Sequence, residues 1–397
     1  MKTILKKKTV QAMLVSTTMV LLSACGGGGG GGGNGGNGAH ATVLDCHLGA
    51  GETLTLTNHS TGTDYIVDCV YTVSGNMVIE PGVTIEFLSD TGFEIDGNQA
   101  SLKAVGTQAE PITFTNTDGI RGAWRGIFFD SNNVKNELSH TIIEYAGGGA
   151  FNSNGDKGSV IIYAGAQLKA NNNELYDGKS YGFNLSYNGS DVVLKDNTIE
   201  THKAPMYLKA QYVDRVQGGT YTGNDTDAIF VPNSGIGDTR RFRDLGVPYH
   251  VVGNLVVGMD GKLTIDPGVT MKFGQNVIFS VNEHTWNGNE HPYVRAIGTA
   301  NKKITFTTIV ANGLWKGFSY DTENSLNALQ YAVINNAEKG VYAWYHTKLT
   351  IDHVDFADIS SHAIHVKAFS DTTENVHVGA GNSYTHIGGN NIQADHI

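Results

Sequence analysis

Asp352 and His353 stand side by side in a strand-like run, Ile351-Asp352-His353, and any cleavage of a polymer by this chain is expected nearest to them. Histidine titrates near neutrality, and a carboxylate within reach steadies its charged form. Nine of the fifteen histidines follow residue 280; His353 and His377 are 24 residues apart, as are His362 and His386. With Asp352, Asp355 and Asp371 nearby, they pose a transition-metal site. No His-x-x-x-His or Cys/His set accompanies them, so alternation around a buried Ile364 is the simpler reading and no metal site is assigned. Asn152-Ser153-Asn154-Gly155-Asp156 and Asn224-Asp225-Thr226-Asp227 gather oxygens of the kind calcium takes. The first lacks the sixth-position glycine and closing glutamate of an EF-hand loop. Both read as turns, and calcium is the only cofactor these loops leave open.

Binding chemistry has better candidates. Arg240-Arg241-Phe242-Arg243 concentrates guanidinium groups, which pair carboxylates or sulfates in bidentate fashion. A clamp for an acidic polymer competes there with a solvated connecting loop. Trp286, Trp344 and Tyr345 have no counterpart in the repeat that follows, and exposed rings stack on the apolar faces of sugars. Residues 281–294 read as an insertion carrying His284, Trp286, Glu290 and His291, and loops on a regular scaffold tend to carry function. The ligand-binding candidates are therefore Trp286, Trp344, Tyr345, Arg240, Arg241 and Arg243. No catalytic residue is assigned.

The elements that would position these residues are strands. Glu80-Pro81-Gly82-Val83-Thr84-Ile85-Glu86-Phe87 recurs as Asp266-Pro267-Gly268-Val269-Thr270-Met271-Lys272-Phe273. Ile112 to Thr115 returns as Ile304 to Thr307, and Trp124-Arg125-Gly126 as Trp315-Lys316-Gly317. Val83, Ile85 and Phe87 alternate with polar residues, the period of a strand, and Gly, Asn and Asp punctuate the runs. Leu185, Leu208 and Val231 are spaced by 23, as are Val341 and Ile364 and also Val333 and Phe356; Asn173 and Asn197 are 24 apart. Short strands at such a period stack coil on coil, because one coil alone cannot bury its inner face. The spacing predicts a parallel β-helix of about 23 residues per coil. Cys46 and Cys69 are one period apart, hence neighbours at about 4.8 Å, within disulfide range. They would staple the first coil to the second.

The ends and the charge are equally legible. Lys2, Lys6, Lys7 and Lys8 precede an apolar stretch that is too short to span a membrane and reads as an export signal, residues 1–24. It ends in Leu22-Ser23-Ala24-Cys25, which resembles the lipobox of bacterial lipoproteins. That resemblance implies cleavage before Cys25, its acylation and, with Gly26 next, an outer-membrane destination facing the periplasm or the cell surface. Residues 25–40 hold an unbroken glycine run, Gly26 to Gly33, and form a flexible tether reaching roughly 20 Å. Loss of the four leader lysines takes 27 basic residues to 23 against 38 acidic ones, which argues against nucleic acid.

From about residue 64 onward the motifs together resemble the right-handed parallel β-helix proteins of bacterial surfaces, of the pectin-lyase-like repeat type. Those motifs are Glu80 to Phe87, Gly106-Thr107, Pro111 to Thr115 and Trp124-Arg125-Gly126, with Lys303 departing where the first copy has Pro111. The resemblance implies an all-β, single-stranded, right-handed β-helix, read as module 41–247 continuous with module 248–397. It implies less about activity, since such folds host lyases, hydrolases, adhesins and spacers. The polygalacturonase pattern is absent: there is no Asp-Asp, Gly-His-Gly or Arg-x-Lys. Pectate lyases share the letters Ile-Asp-His, but the calcium-binding acids and arginine signature that accompany them there are not recognisable in this chain. Thr113/Thr115 and Thr305/Thr307 do not recur in every coil, as an ice-binding face would require. The expectation is a surface binding or adhesion module for a glycan or another cell-surface partner. The alternatives are a polysaccharide lyase or hydrolase, and a passive spacer.

Overall fold

Alternation decides the strands. In Thr84–Phe87 the side chains of Ile85 and Phe87 are fully buried while Thr84 and Glu86 face outward. Thr270–Phe273 repeats the pattern with Met271 and Phe273 inside. The computed structural model describes residues 41–59, 61–282, 291–368 and 375–396. Cys25, the leader, the tether and Trp286 lie outside them. The regular structure of the described residues is nearly all β, with one 3-10 helix, Ala210–Arg215, among its elements. No helix in it is long and apolar enough to cross a membrane.

Consecutive strands do not pair with each other. Each pairs in parallel with the strand one circuit earlier, which yields long ladders. Ladder 1 runs from Thr42–Val43 to Thr198–Ile199 and ladder 3 from Thr53–Leu56 to Val216–Gln217, seven strands each. Ladder 2 runs from His47–Leu48 to Ser383–Ile387, the length of the described body. Ladder 4 runs from Ser234–Ile236 to Ile392–His396. Ladder 5 starts at Thr239–Phe242 and reaches Val376–Val378. Ladders 2 and 5 join because Ala328–Ala337 and Leu349–Ile359 each bend and serve both.

Inward residues stack rung on rung. Ile85, Phe114, Ile143, Leu175 and Ile199 follow one another up ladder 1, all fully buried. The 23-residue spacings correspond to real rungs: Leu185 pairs with Leu208, and Val341 with Ile364. One pair is off by a residue. Val333 pairs with outward Asp355, and Ile334 is the residue beneath Phe356. Tyr331, at φ 47°, turns the corner inside that strand and restarts the alternation.

Equivalent strands of the two sequence copies lie in different ladders. Thr84–Phe87 and Ile112–Thr115 lie in ladder 1, but Thr270–Phe273 and Ile304–Thr308 lie in ladder 2. Gly126–Asp130 lies in ladder 2 and Gly317–Asp321 in ladder 4. The changeover comes where ladders 1 and 3 end and ladders 4 and 5 begin, around the 3-10 helix. The boundary read at 247/248 falls within continuous pairing: Ile229 with Tyr249, Arg240 with Leu263.

Candidate functional site

The outer face of ladder 2 departs from the polar surface that such strands usually present. Its register aligns Glu94, Phe128, Ile161 and Asn184, then Tyr207, Phe230, His250 and Lys272, one per rung. Neighbouring rungs lie about 4.8 Å apart. Rings from adjoining positions widen the row. Phe128 lies 5.3 Å from Phe151 and 5.5 Å from Tyr163, and Tyr163 lies 4.3 Å from Tyr187. Tyr181 lies 5.0 Å from Tyr207 and 6.0 Å from Phe230, which meets His250 edge-on at 5.2 Å. Lys203 Nζ sits 5.0 Å over the Tyr181 ring. Tyr163, Tyr181, Tyr187, Tyr207, Phe230 and His250 are half-buried, while Phe128, Ile161 and Asn184 are covered. A patch of partly exposed rings on an exterior marks a binding surface more often than an accident.

The two ends differ electrically. Asp96 and Asp130 are directly paired across adjacent strands, with Glu94 beside them. Burial and these like charges raise the carboxyls of Glu94 and Asp130 above the usual range. At the other end burial, helped by Lys272, pulls His250 down to about 4, so its ring is neutral at pH 7. Burial also raises the Tyr207 phenol. The middle of the face is therefore ring-lined, with the Lys203 ammonium over Tyr181 as its charge and carboxyls at one end.

The residues singled out from sequence lie elsewhere. Arg240 is ion-paired with Asp238 and lies 3.7 Å from Asp214; Arg241 pairs with Asp266 at 2.7 Å. Arg240 faces a trough of about 390 Å³ shared with Tyr212 and Arg215, while the Arg243 Nε is buried. The cluster is thus largely neutralised from within. Trp344 and Tyr345 are exposed; Trp344 meets Tyr342 edge-on at 5.4 Å and Tyr345 meets His346 at 4.7 Å. Cys46 and Cys69 form a disulfide with a Cα separation of 5.9 Å. Asp68 lies close enough for a three-ligand set with them, but sulfurs joined to each other offer no thiolate.

The histidine pairs do not stack. Thr350, not His353, pairs with His377, and His386 contacts Asp358 at 3.0 Å. His353 is a corner residue at φ 54°, stacked 4.4 Å from Tyr331 and 2.9 Å from Asp352. The two oxygen-rich loops are engaged in turns: Asp156 accepts from Asn152 at 2.8 Å and from Tyr187, and Asp225 binds Arg121 through two contacts of 3.1 Å.

Sequence reasoning missed the ladder 2 row. Its signal was present in Met206-Tyr207-Leu208 and Ile229-Phe230-Val231, two apolar–aromatic–apolar triplets 23 residues apart, where a half-exposed strand would put a polar residue in the middle. No protein-family model matches the chain, and neither a curated protein nor a solved structure matches it.

Proposed function

We propose that this chain is a lipid-anchored protein of the cell envelope, held through Cys25, whose body is a right-handed parallel β-helix. Its outer face along ladder 2 binds a glycan chain. The observation that carries the reading is the row of rings from Phe128 through Tyr207 and Phe230 to His250. Rings stack on the apolar faces of sugars, and a rigid ladder holds them at a fixed repeat. The test is affinity electrophoresis of the purified protein in neutral and acidic polysaccharides. Tyr207→Ala and Phe230→Ala should each weaken binding about tenfold, or about 1.4 kcal/mol. Binding that survives both changes but is lost in Trp344→Ala moves the site to ladder 4. Binding by no polysaccharide leaves the spacer reading. The anchor is tested separately: Cys25→Ser should move the protein from the membrane to the soluble fraction.

A lyase or hydrolase is favoured by one observation, the raised carboxyls of Glu94 and Asp130 beside the rings. A carboxyl whose affinity for the proton is raised is better suited to act as a general acid. Release of reducing or unsaturated ends, abolished in Glu94→Gln with binding intact, would establish it.

A further inference from the structure

The acidic end of the ladder 2 face is covered by the chain itself. Between Thr141–Glu144 and Gly158–Ile162 the backbone forms no strand, and residues 150–157 lie across the outer face. Phe151 is laid against Phe128, with rings 5.3 Å apart and inclined by 22°. Gly92 makes the room: a Cβ there would come within 2.7 Å of the Phe151 ring. Side chains supply the latch. Asp156 accepts from the Tyr187 hydroxyl, from Asn152 at 2.8 Å and from Ser186 at 3.4 Å; Asn154 donates to the Tyr187 oxygen at 2.8 Å. Among the described residues no backbone-to-backbone hydrogen bond ties residues 150–156 to a ladder.

Asn184 lies in the row under this segment. It is 4% exposed; its Nδ2 donates to the Lys157 carbonyl at 3.1 Å, and its Oδ1 is buried with no donor. A buried, unpaired acceptor is costly, and a hydroxyl delivered to it would relieve that cost. Phe151, meanwhile, occupies on Phe128 the position that a sugar ring would take. The carboxyls of Glu94, Asp96 and Asp130 at this end outnumber the guanidinium of Arg125, which lies 6.0 Å over the Phe151 ring, and so disfavour an anionic chain.

We infer that residues 150–157 are a lid, that Phe151 holds the place of a ligand ring on Phe128, and that opening the lid presents Asn184 Oδ1 to a hydroxyl of a neutral glycan. The inference rests on the glycan reading above and sharpens its ligand class. It is tested on the full chain with a soluble glucan, a mannan and polygalacturonate, alongside amide hydrogen exchange. Asp156→Ala unlatches the lid and should tighten neutral-glycan binding about tenfold, while Asn184→Ala should weaken it about tenfold. Exchange at residues 150–157 should quicken in Asp156→Ala, with Gly158–Ile162 still protected. Asn154→Ala serves if Asp156→Ala does not fold. Weaker binding in the unlatched variant would make the segment a wall of the site and overturn the lid. Tighter binding of polygalacturonate than of either neutral polymer would overturn the ligand class. If nothing binds any variant the glycan reading fails, and the lid is judged by exchange alone: no quickening at residues 150–157 would sink it.

Discussion

Trp124 and Trp315 perform one task in two places. Each stacks on the phenylalanine of its own copy, Phe87 at 4.0 Å and Phe273 at 4.2 Å, with the rings within 8° and 11° of parallel. Each indole donates to a carbonyl in the next coil, Glu144 at 2.7 Å and Asn335 at 3.0 Å. Their recurrence in the sequence was enough to place them in the packing. Trp315→Ala should cost about 3–5 kcal/mol, read as a lower denaturation midpoint at unchanged slope. His202 was not legible at all, since its partner Ser159 is 43 residues away. The ring is fully buried, with Nε2 2.8 Å from the Ser159 hydroxyl and Nδ1 2.8 Å from the Glu200 carbonyl. A carbonyl only accepts, so Nδ1 carries the proton and Nε2 accepts from Ser159. Burial pulls this group down to about 4. Between that value and the unfolded value of about 6.5, the unfolded chain binds the extra proton. Stability therefore rises with pH across this window, and about 3 kcal/mol should be lost on acidification from pH 7 to pH 4. Urea unfolding of His202→Gln across the same range should show a flatter slope.

At the scale of the element, the corners decide what alternation leaves open. His140, Asn172 and Asp196 turn successive coils at φ 50°, 53° and 52°, each bonded through its N–H to the coil above. Side chains in the left-handed region are uncommon, and Asn, Asp and His tolerate it best. Just inside this corner an asparagine ladder closes the interior. Asn173 Nδ2 donates to Leu138 O and to Asn197 Oδ1, both at 2.9 Å, and Asn197 Nδ2 donates to Ala170 O at 3.0 Å. Both residues are buried, so every one of these bonds matters. Asn197→Ala should cost about 1–3 kcal/mol, measurable by denaturant unfolding, because it removes the acceptor of the Asn173 backbone N–H and the donor to the buried Ala170 carbonyl. The 24-residue echo of Asn173 in Asn197 was visible in the sequence. Its inward direction was not, because spacing gives the rung and says nothing of the side. The same limit explains the miss at Val333. A corner residue within a continuous strand resets which positions face the core, and nothing in the string Gln330-Tyr331-Ala332 announces the turn.

For the whole molecule, the period was the most legible feature, because one repeated physical demand, burial of the inner row, writes itself into many residues at once. Energetics in such a stack are local, each coil resting on its neighbours. The Cys46–Cys69 disulfide therefore acts on the outermost rungs. Cys46→Ala with Cys69→Ala should remove about 3 kcal/mol. The loss should appear as faster amide exchange confined to residues 41–57, with ladder 4 unaffected. What the repeat could not convey was its orientation. Two matching sentences invite the idea of two matching surfaces on one side. Instead the strands of the second copy have moved on by one ladder, so Gly126–Asp130 and Gly317–Asp321 belong to different faces. A straight polymer lying along ladder 2 meets the first copy's Phe128 strand and later the second copy's Thr270–Phe273, which are chemically unlike. The duplication thus supplies no avidity toward one chain. If each copy engages a ligand through its equivalent strands, the molecule holds two chains on two sides, and its valency makes it a cross-link rather than a tighter grip.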